Sequence, residues 1–255
     1  MSNTSSRLAY CALAAAAIAT GSAHAQSIST SASISQFSYQ LVDLDLSDNI
    51  SPSIFFTEHS DSSFSYFTDA QTGKVTSQSI GTLGSTSASH AGGTASTSTD
   101  AANWGSTTFA NATAPTRGTM QAGTFHLDRF KLSPNTGMII SALGTVSNDV
   151  SNPAIDSRGW AYFSLKGRLG DQEGQTPGEE MTFYQSYYAR LSGTKTYTVS
   201  AYLESGSTGG YGHLEFETNN VAAVISAVPE PETYAMLLAG LAMMGWCARR
   251  RKAAR

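Results

Sequence analysis

Ile28-Ser-Thr-Ser-Ala-Ser-Ile34-Ser-Gln-Phe37-Ser-Tyr39-Gln-Leu41-Val-Asp-Leu44-Asp-Leu46 is the stretch that decides the fold class. Its apolar residues alternate with Ser, Gln and Asp, with a phase break near Gln36. Alternation at a period of two sends one set of side chains into a core and the other into water, so the stretch predicts a long amphipathic strand.

Working outward, the same signature recurs. Ile54-Phe-Phe56, Phe64-Ser-Tyr-Phe67, Thr124-Phe-His-Leu127, Met138 to Val146, Trp160 to Leu165, Met181 to Leu191, Thr196 to Leu203 and His213 to Ile225 are short apolar or alternating runs. Turn residues separate them: Ser133-Pro-Asn-Thr136, Asp156-Ser-Arg-Gly159, Leu191-Ser-Gly-Thr194 and Ser207-Thr-Gly-Gly210. No 3.6-residue periodicity lies between them. About ten strands without intervening helices predict an all-β body over 26–227, a single β-sandwich or jelly-roll-like domain.

One segment departs from this pattern. In 76–116, 18 residues are Ser or Thr, and Trp104 and Phe109 are the only aromatics. Small side chains bury little apolar area and hold a core weakly. The expectation there is one or two thin edge strands with loops, inside the same domain.

Composition narrows the function. Of 255 residues 13% are charged, about half the share of roughly 25% in an ordinary soluble protein. Most of the basic residues near the ends sit in Arg249 to Arg255, and the middle, 26–227, keeps 9 Lys+Arg against 17 Asp+Glu, a net −8. An acidic body repels nucleic acid at long range, so no nucleic-acid partner is expected. Cys11 and Cys247 lie in terminal apolar segments, which excludes a disulfide framework.

The N-terminus reads as an export signal over 1–25. A polar start with Arg7 is followed by the apolar run Leu8 to Thr20, and then by Ala23-His-Ala25, a small-x-small cleavage pattern. The apolar run would make a helix of about 20 Å, too short for a bilayer core of about 30 Å. Signal peptidase and the secretion machinery are therefore expected partners, with cleavage after Ala25.

The C-terminal segment, 228–255, is the most specific feature. Val228-Pro229-Glu230-Pro231-Glu232-Thr233 precedes an uncharged run from Tyr234 to Ala248, and Arg249-Arg250-Arg251-Lys252 follows. The run predicts one short transmembrane helix, and the basic cluster predicts a cytoplasmic anchor. This three-part tail resembles the PEP-CTERM sorting signal of Gram-negative bacteria. The resemblance implies that an exosortase is the partner and Pro229-Glu230-Pro231 its substrate. The body is then released or attached at the cell surface, in bacteria that make exopolysaccharide or biofilm.

The body itself carries no chemistry-bearing motif. His59, His90, His126 and His213 show no metal-ligand spacing, and there is no nucleophile elbow or phosphate loop. No catalytic residue, cofactor or metal is expected. His126-Leu-Asp128 reads as a surface pair. Asp43, Asp45 and Asp48 have oxygens in close sequence, as in part of a calcium loop, without its Gly and terminal Glu. Glu215 and Glu217 share a strand face, the one paired-carboxylate arrangement that a hydrolase reading could use. Tyr184, Tyr187, Tyr188, Tyr197, Tyr202 and Tyr211 cluster with Trp160 in the last third. They could pack a core or contact sugar, and only one of Tyr187 and Tyr188 can face the core. The expected role is structural or adhesive in an exopolysaccharide matrix. A carbohydrate-binding module is the alternative, and a secreted hydrolase a third reading.

Overall fold

The computed structural model describes residues 27–90, 92–100, 104–113, 117–151, 157–170, 181–224 and 238–244. The signal segment with Ala23 and Ala25, the motif Val228 to Pro231 and the basic cluster Arg249 to Lys252 lie outside the described residues. Gln26–Ser226 is one compact unit. Of the tail, 238–244 is helical, and among the described residues no helix is long and apolar enough to cross a membrane.

The body is all β. Its strands are β1 (Ser27–Asp43), β2 (Ile54–Asp69), β3 (Val75–Ile80), β4 (Thr86–His90), β5 (Gly93–Asp100), β6 (Gly105–Thr113), β7 (Gly118–Leu132), β8 (Thr136–Val150), β9 (Ser157–Gly170), β10 (Met181–Ala189), β11 (Gly193–Glu204) and β12 (Gly210–Val224). They form two antiparallel six-stranded sheets in the orders β11-β8-β1-β6-β5-β4 and β10-β9-β12-β7-β2-β3. The two orders lie in step, so that β11 meets β10, β8 meets β9, β1 meets β12, β6 meets β7, β5 meets β2 and β4 meets β3. This is the sandwich arrangement, with the inner faces forming the core.

The phase break in β1 is a β-bulge. Pairing with β8 shifts between Ser35 and Ser38, and Gln36 takes a φ of 53°. Before the bulge Ile28, Ala32 and Ile34 face inward; after it Phe37 and Leu41 do. One extra residue thus swaps the faces of the strand, as the sequence pattern requires. The turn at 133–136 also falls where expected, with Asn135 at a φ of 48°.

Two apolar clusters fill the sandwich. The larger holds Phe130, Met138, Ile140, Phe163, Leu165 and Leu203, with Tyr187 and Tyr197 packed at its margin. The smaller is built of Ala95, Ala110, Ala112, Ala122 and Ala222 around Ile28, Phe67 and Met120.

The Ser/Thr-rich segment differs from expectation. Instead of one or two thin strands it supplies most of β3 and all of β4, β5 and β6, which are hydrogen-bonded in register. The reason lies in threonine and alanine together. Ala88, Ala95 and Ala110 fit between closely set sheets, and buried threonine hydroxyls find partners there. Thr86 and Thr97 bond each other at 2.9 Å, and Thr30 and Thr108 donate to the carbonyls of Ala110 and Ala32. A buried hydroxyl that keeps its hydrogen bond avoids most of the burial penalty.

Candidate functional site

β7 sends its even-numbered residues inward: Met120, Ala122, Thr124, His126, Asp128, Phe130 and Leu132 are all buried. On the neighbouring β2, the odd residues Ser63, Ser65 and Phe67 do the same. Extending that face toward the start of β2 brings in Asp61 and His59. The register sets Asp61 opposite His126 and His59 opposite Asp128. Two His-x-Asp segments running antiparallel therefore place four polar side chains in one quadrilateral on an inner sheet face.

The four side chains form a closed ring of contacts. His59 Nδ1 lies 2.8 Å from Asp128 Oδ1, and His126 Nε2 lies 3.1 Å from Asp128 Oδ2. His126 Nδ1 lies 2.5 Å from Asp61 Oδ1, and His59 Nε2 contacts Asp61 Oδ2. The side chains of Asp61, Asp128 and His126 are 5%, 7% and 9% exposed, while that of His59 is 57% exposed. The cluster is thus open to solvent on the His59 side alone of these four. Trp104 closes another side, edge-on to His126 at 4.7 Å and stacked on Phe37 at 4.5 Å. Trp104 sits at a φ of 52°, an uncommon left-handed conformation held by this aromatic packing.

The electrostatics follow from the geometry. Burial acts to lower the pKa of His126, but its hydrogen bonds to the carboxylates of Asp128 and Asp61 outweigh it and raise it. Burial acts to raise Asp128, but the bonds from His126 and His59 outweigh it and lower it. The charged forms of both are favoured together.

This position corrects the reading of His126 and Asp128 as a surface pair. Both are buried, and their partners come from another strand. The signal available in the sequence was the repetition of His-x-Asp at 59–61 and 126–128, but nothing in one strand shows which other strand lies beside it. Among the described residues, His59, His126 and Asp128 are the one group whose ligand atoms gather as a metal ion would need.

The other sequence-selected residues are placed differently. Asp43, Asp45 and Asp48 accept the backbone N–H groups of Asp45, Ser47 and Ile50, so their oxygens are engaged in consecutive turns. Hydrogen bonds from Ser47 lower the pKa of Asp45. Glu215 and Glu217 share the outer face of their sheet, bonded to Lys166 and to the Tyr162 hydroxyl respectively. Tyr187 and Tyr188 divide as expected: Tyr187 stacks on Phe163 at 5.1 Å and Tyr197 at 4.1 Å, and Tyr188 is 47% exposed.

On that outer face the aromatics line up. Trp160 stacks on Tyr162 at 5.6 Å, and Tyr162 meets its cross-strand partner Tyr188 at 5.2 Å. Tyr184 lies four residues along β10 on the same face, exposed, with the Lys166 ammonium 5.5 Å from its ring centre. Gln121 donates to Asn219 at 3.0 Å on the same face, and the Tyr66 hydroxyl donates to Gln121. The row joins apolar ring faces to amide and carboxylate groups.

Residues 227–252 match the PEP-CTERM protein-sorting motif. The chain carries a PEP-CTERM sorting signal. That signal implies export, sorting at the membrane and processing by an exosortase. No curated protein sequence matches the chain. Among solved structures, the PEP-CTERM protein has some similarity to the N-terminal CBM22-1-CBM22-2 tandem domain of Paenibacillus barcinonensis Xyn10C. The two are 10% identical over 82% of this chain and 75% of that one, with a TM-score of 0.15.

Proposed function

We propose that this protein is a structural or adhesive component of the cell surface or extracellular polysaccharide matrix, delivered there by its PEP-CTERM tail. Its signal segment starts export, its apolar run and Arg249–Lys252 hold it briefly in the inner membrane, and exosortase cleavage frees the body. The observation that carries this reading is the sorting motif at 227–252 behind a body that is one sandwich of Gln26–Ser226.

Mass spectrometry of the protein from its native cells and medium tests the reading. The expected C-terminus falls within 229–233, with the arginine cluster gone. A chain still ending at Arg255 in the membrane fraction overturns it.

The outer aromatic row supports a second, narrower reading, contact with polysaccharide. Trp160, Tyr162, Tyr184 and Tyr188 offer flat apolar faces that suit the C–H faces of sugar rings. Such rings bring large area at low entropic cost, with polar groups beside them for hydroxyls. Sedimentation with the host's own extracellular polysaccharide tests this. Retention of the wild-type protein and its loss in Trp160→Ala support it; equal retention of both overturns it.

A further inference from the structure

We propose that His59, His126 and Asp128 bind a divalent transition metal of the zinc class, and that Asp61 holds both imidazoles in place for it. The four ring nitrogens divide into two sets. His59 Nδ1 and His126 Nε2 both face Asp128, at 2.8 and 3.1 Å. His126 Nδ1 and His59 Nε2 both face Asp61, one on each carboxylate oxygen. A metal-bound histidine needs this division: one nitrogen for the ion, and the other N–H on a carboxylate that fixes the ring and raises its basicity. Here one carboxylate serves two rings.

The dimensions suit an ion. Ligand atoms of His59, His126 and Asp128 all lie within 4.8 Å of one another. Zinc–ligand bonds of about 2.0–2.2 Å put ligand atoms roughly 3.4 Å apart in a tetrahedron. Closing that difference takes a small rotation of His59, the exposed member. The solvent side at His59 leaves room for a fourth ligand.

Charge points the same way. Asp61 and Asp128 are buried, and buried carboxylates need compensation. With no metal, every ring nitrogen of the two histidines faces a carboxylate oxygen. One divalent cation balances the charge of the two carboxylates. On binding, metal–nitrogen bonds replace the contacts that His59 Nδ1 and His126 Nε2 make with Asp128.

The donor set selects the metal class. Two imidazoles and a carboxylate suit zinc, copper, nickel or ferrous iron, whereas calcium asks for six to eight oxygens. The aromatic wall of Trp104 and Phe216 around His126 favours a compact, poorly hydrated ion site.

The test is calorimetric titration of zinc chloride into the full-length, untagged protein in mild detergent, after chelator treatment and near neutral pH. One saturable site per chain is expected, with tighter apparent binding as pH rises and no response to calcium chloride. His59→Ala, at the exposed position, keeps the fold by circular dichroism and lowers zinc affinity at least about 100-fold. Asp61→Asn keeps all three ligands and lowers affinity about 10- to 100-fold, the range for partners that orient metal-bound histidines. No saturable heat with the wild-type protein overturns the proposal, as does equal affinity in a folded His59→Ala. An unchanged affinity in folded Asp61→Asn overturns the role given to Asp61.

Discussion

His59 of β2 and Asp128 of β7 are direct cross-strand partners, with Nδ1 and Oδ1 2.8 Å apart, although 68 residues separate them in the chain. That one pairing draws a solvent-exposed imidazole onto a buried carboxylate. It also explains why β2 and β7 stay strands where their apolar alternation lapses. The polar residues continue the inner face because each finds its counterpart across the ladder.

The metal-free cluster should give stability a defined pH window. The raised pKa of His126 contributes stability that is fully present below its unfolded value of about 6.5. That contribution is lost as pH rises through the raised folded value. The lowered pKa of Asp128 contributes stability that is present above its unfolded value of about 3.9. That contribution is lost as pH falls through the lowered folded value. The two contributions therefore overlap between about pH 4 and 6.5. Urea midpoints measured against pH in the presence of chelator should peak there for the wild type, and Asp128→Asn should flatten the peak.

Gly144 of β8 lies under the ring of Phe163, where a Cβ would stand 2.0 Å from Cζ. Gly144→Ala must displace a ring that is almost fully buried. Overpacking of this kind costs about 1–3 kcal/mol. Chemical denaturation should show a lower midpoint with an unchanged slope; an unchanged midpoint would mean that the sheets separate freely at this point.

The hydroxyls of Thr124 and Thr218 bond each other at 2.6 Å across β7 and β12, and Ser106 reaches Thr218 at 3.2 Å. Thr218→Val leaves the buried Thr124 hydroxyl without this partner, a loss of about 1–3 kcal/mol. The double change Thr124→Val with Thr218→Val removes both groups of the pair and should cost less than the single one. A double-mutant cycle on urea unfolding measures the difference, and strict additivity would show that the hydrogen bond contributes nothing.

Tyr188→Ala removes an exposed ring next to Tyr162 without opening the core, so its thermal midpoint should stay close to the wild type. If the outer row contacts polysaccharide, binding should fall about tenfold or more, as when a central aromatic contact is truncated. Tyr187→Ala is the matched control. Tyr187 packs inward against Phe163 and Tyr197, so the change should lower stability while leaving the outer row in place.

Several features were legible in the chain order alone. The two-residue period of Ile28 to Leu46, its break at Gln36 and the turn at 133–136 each depend on neighbours a few residues away. Local sterics and burial set them, so they can be read locally. The sorting motif is local for another reason: a separate enzyme recognises it as a linear segment. Tertiary structure decided the rest. Ile54–Phe56 and Phe64–Phe67 read as two runs, yet they are one strand, because His59 and Asp61 between them are satisfied by His126 and Asp128. The Ser/Thr-rich segment reads as a thin edge, yet it forms three full strands and part of a fourth, because small side chains let the sheets close over paired hydroxyls. A hydrophobic pattern reports what a residue avoids, which is water. A buried polar residue is defined by the partner it meets, and only the folded sheet brings that partner within about 3 Å.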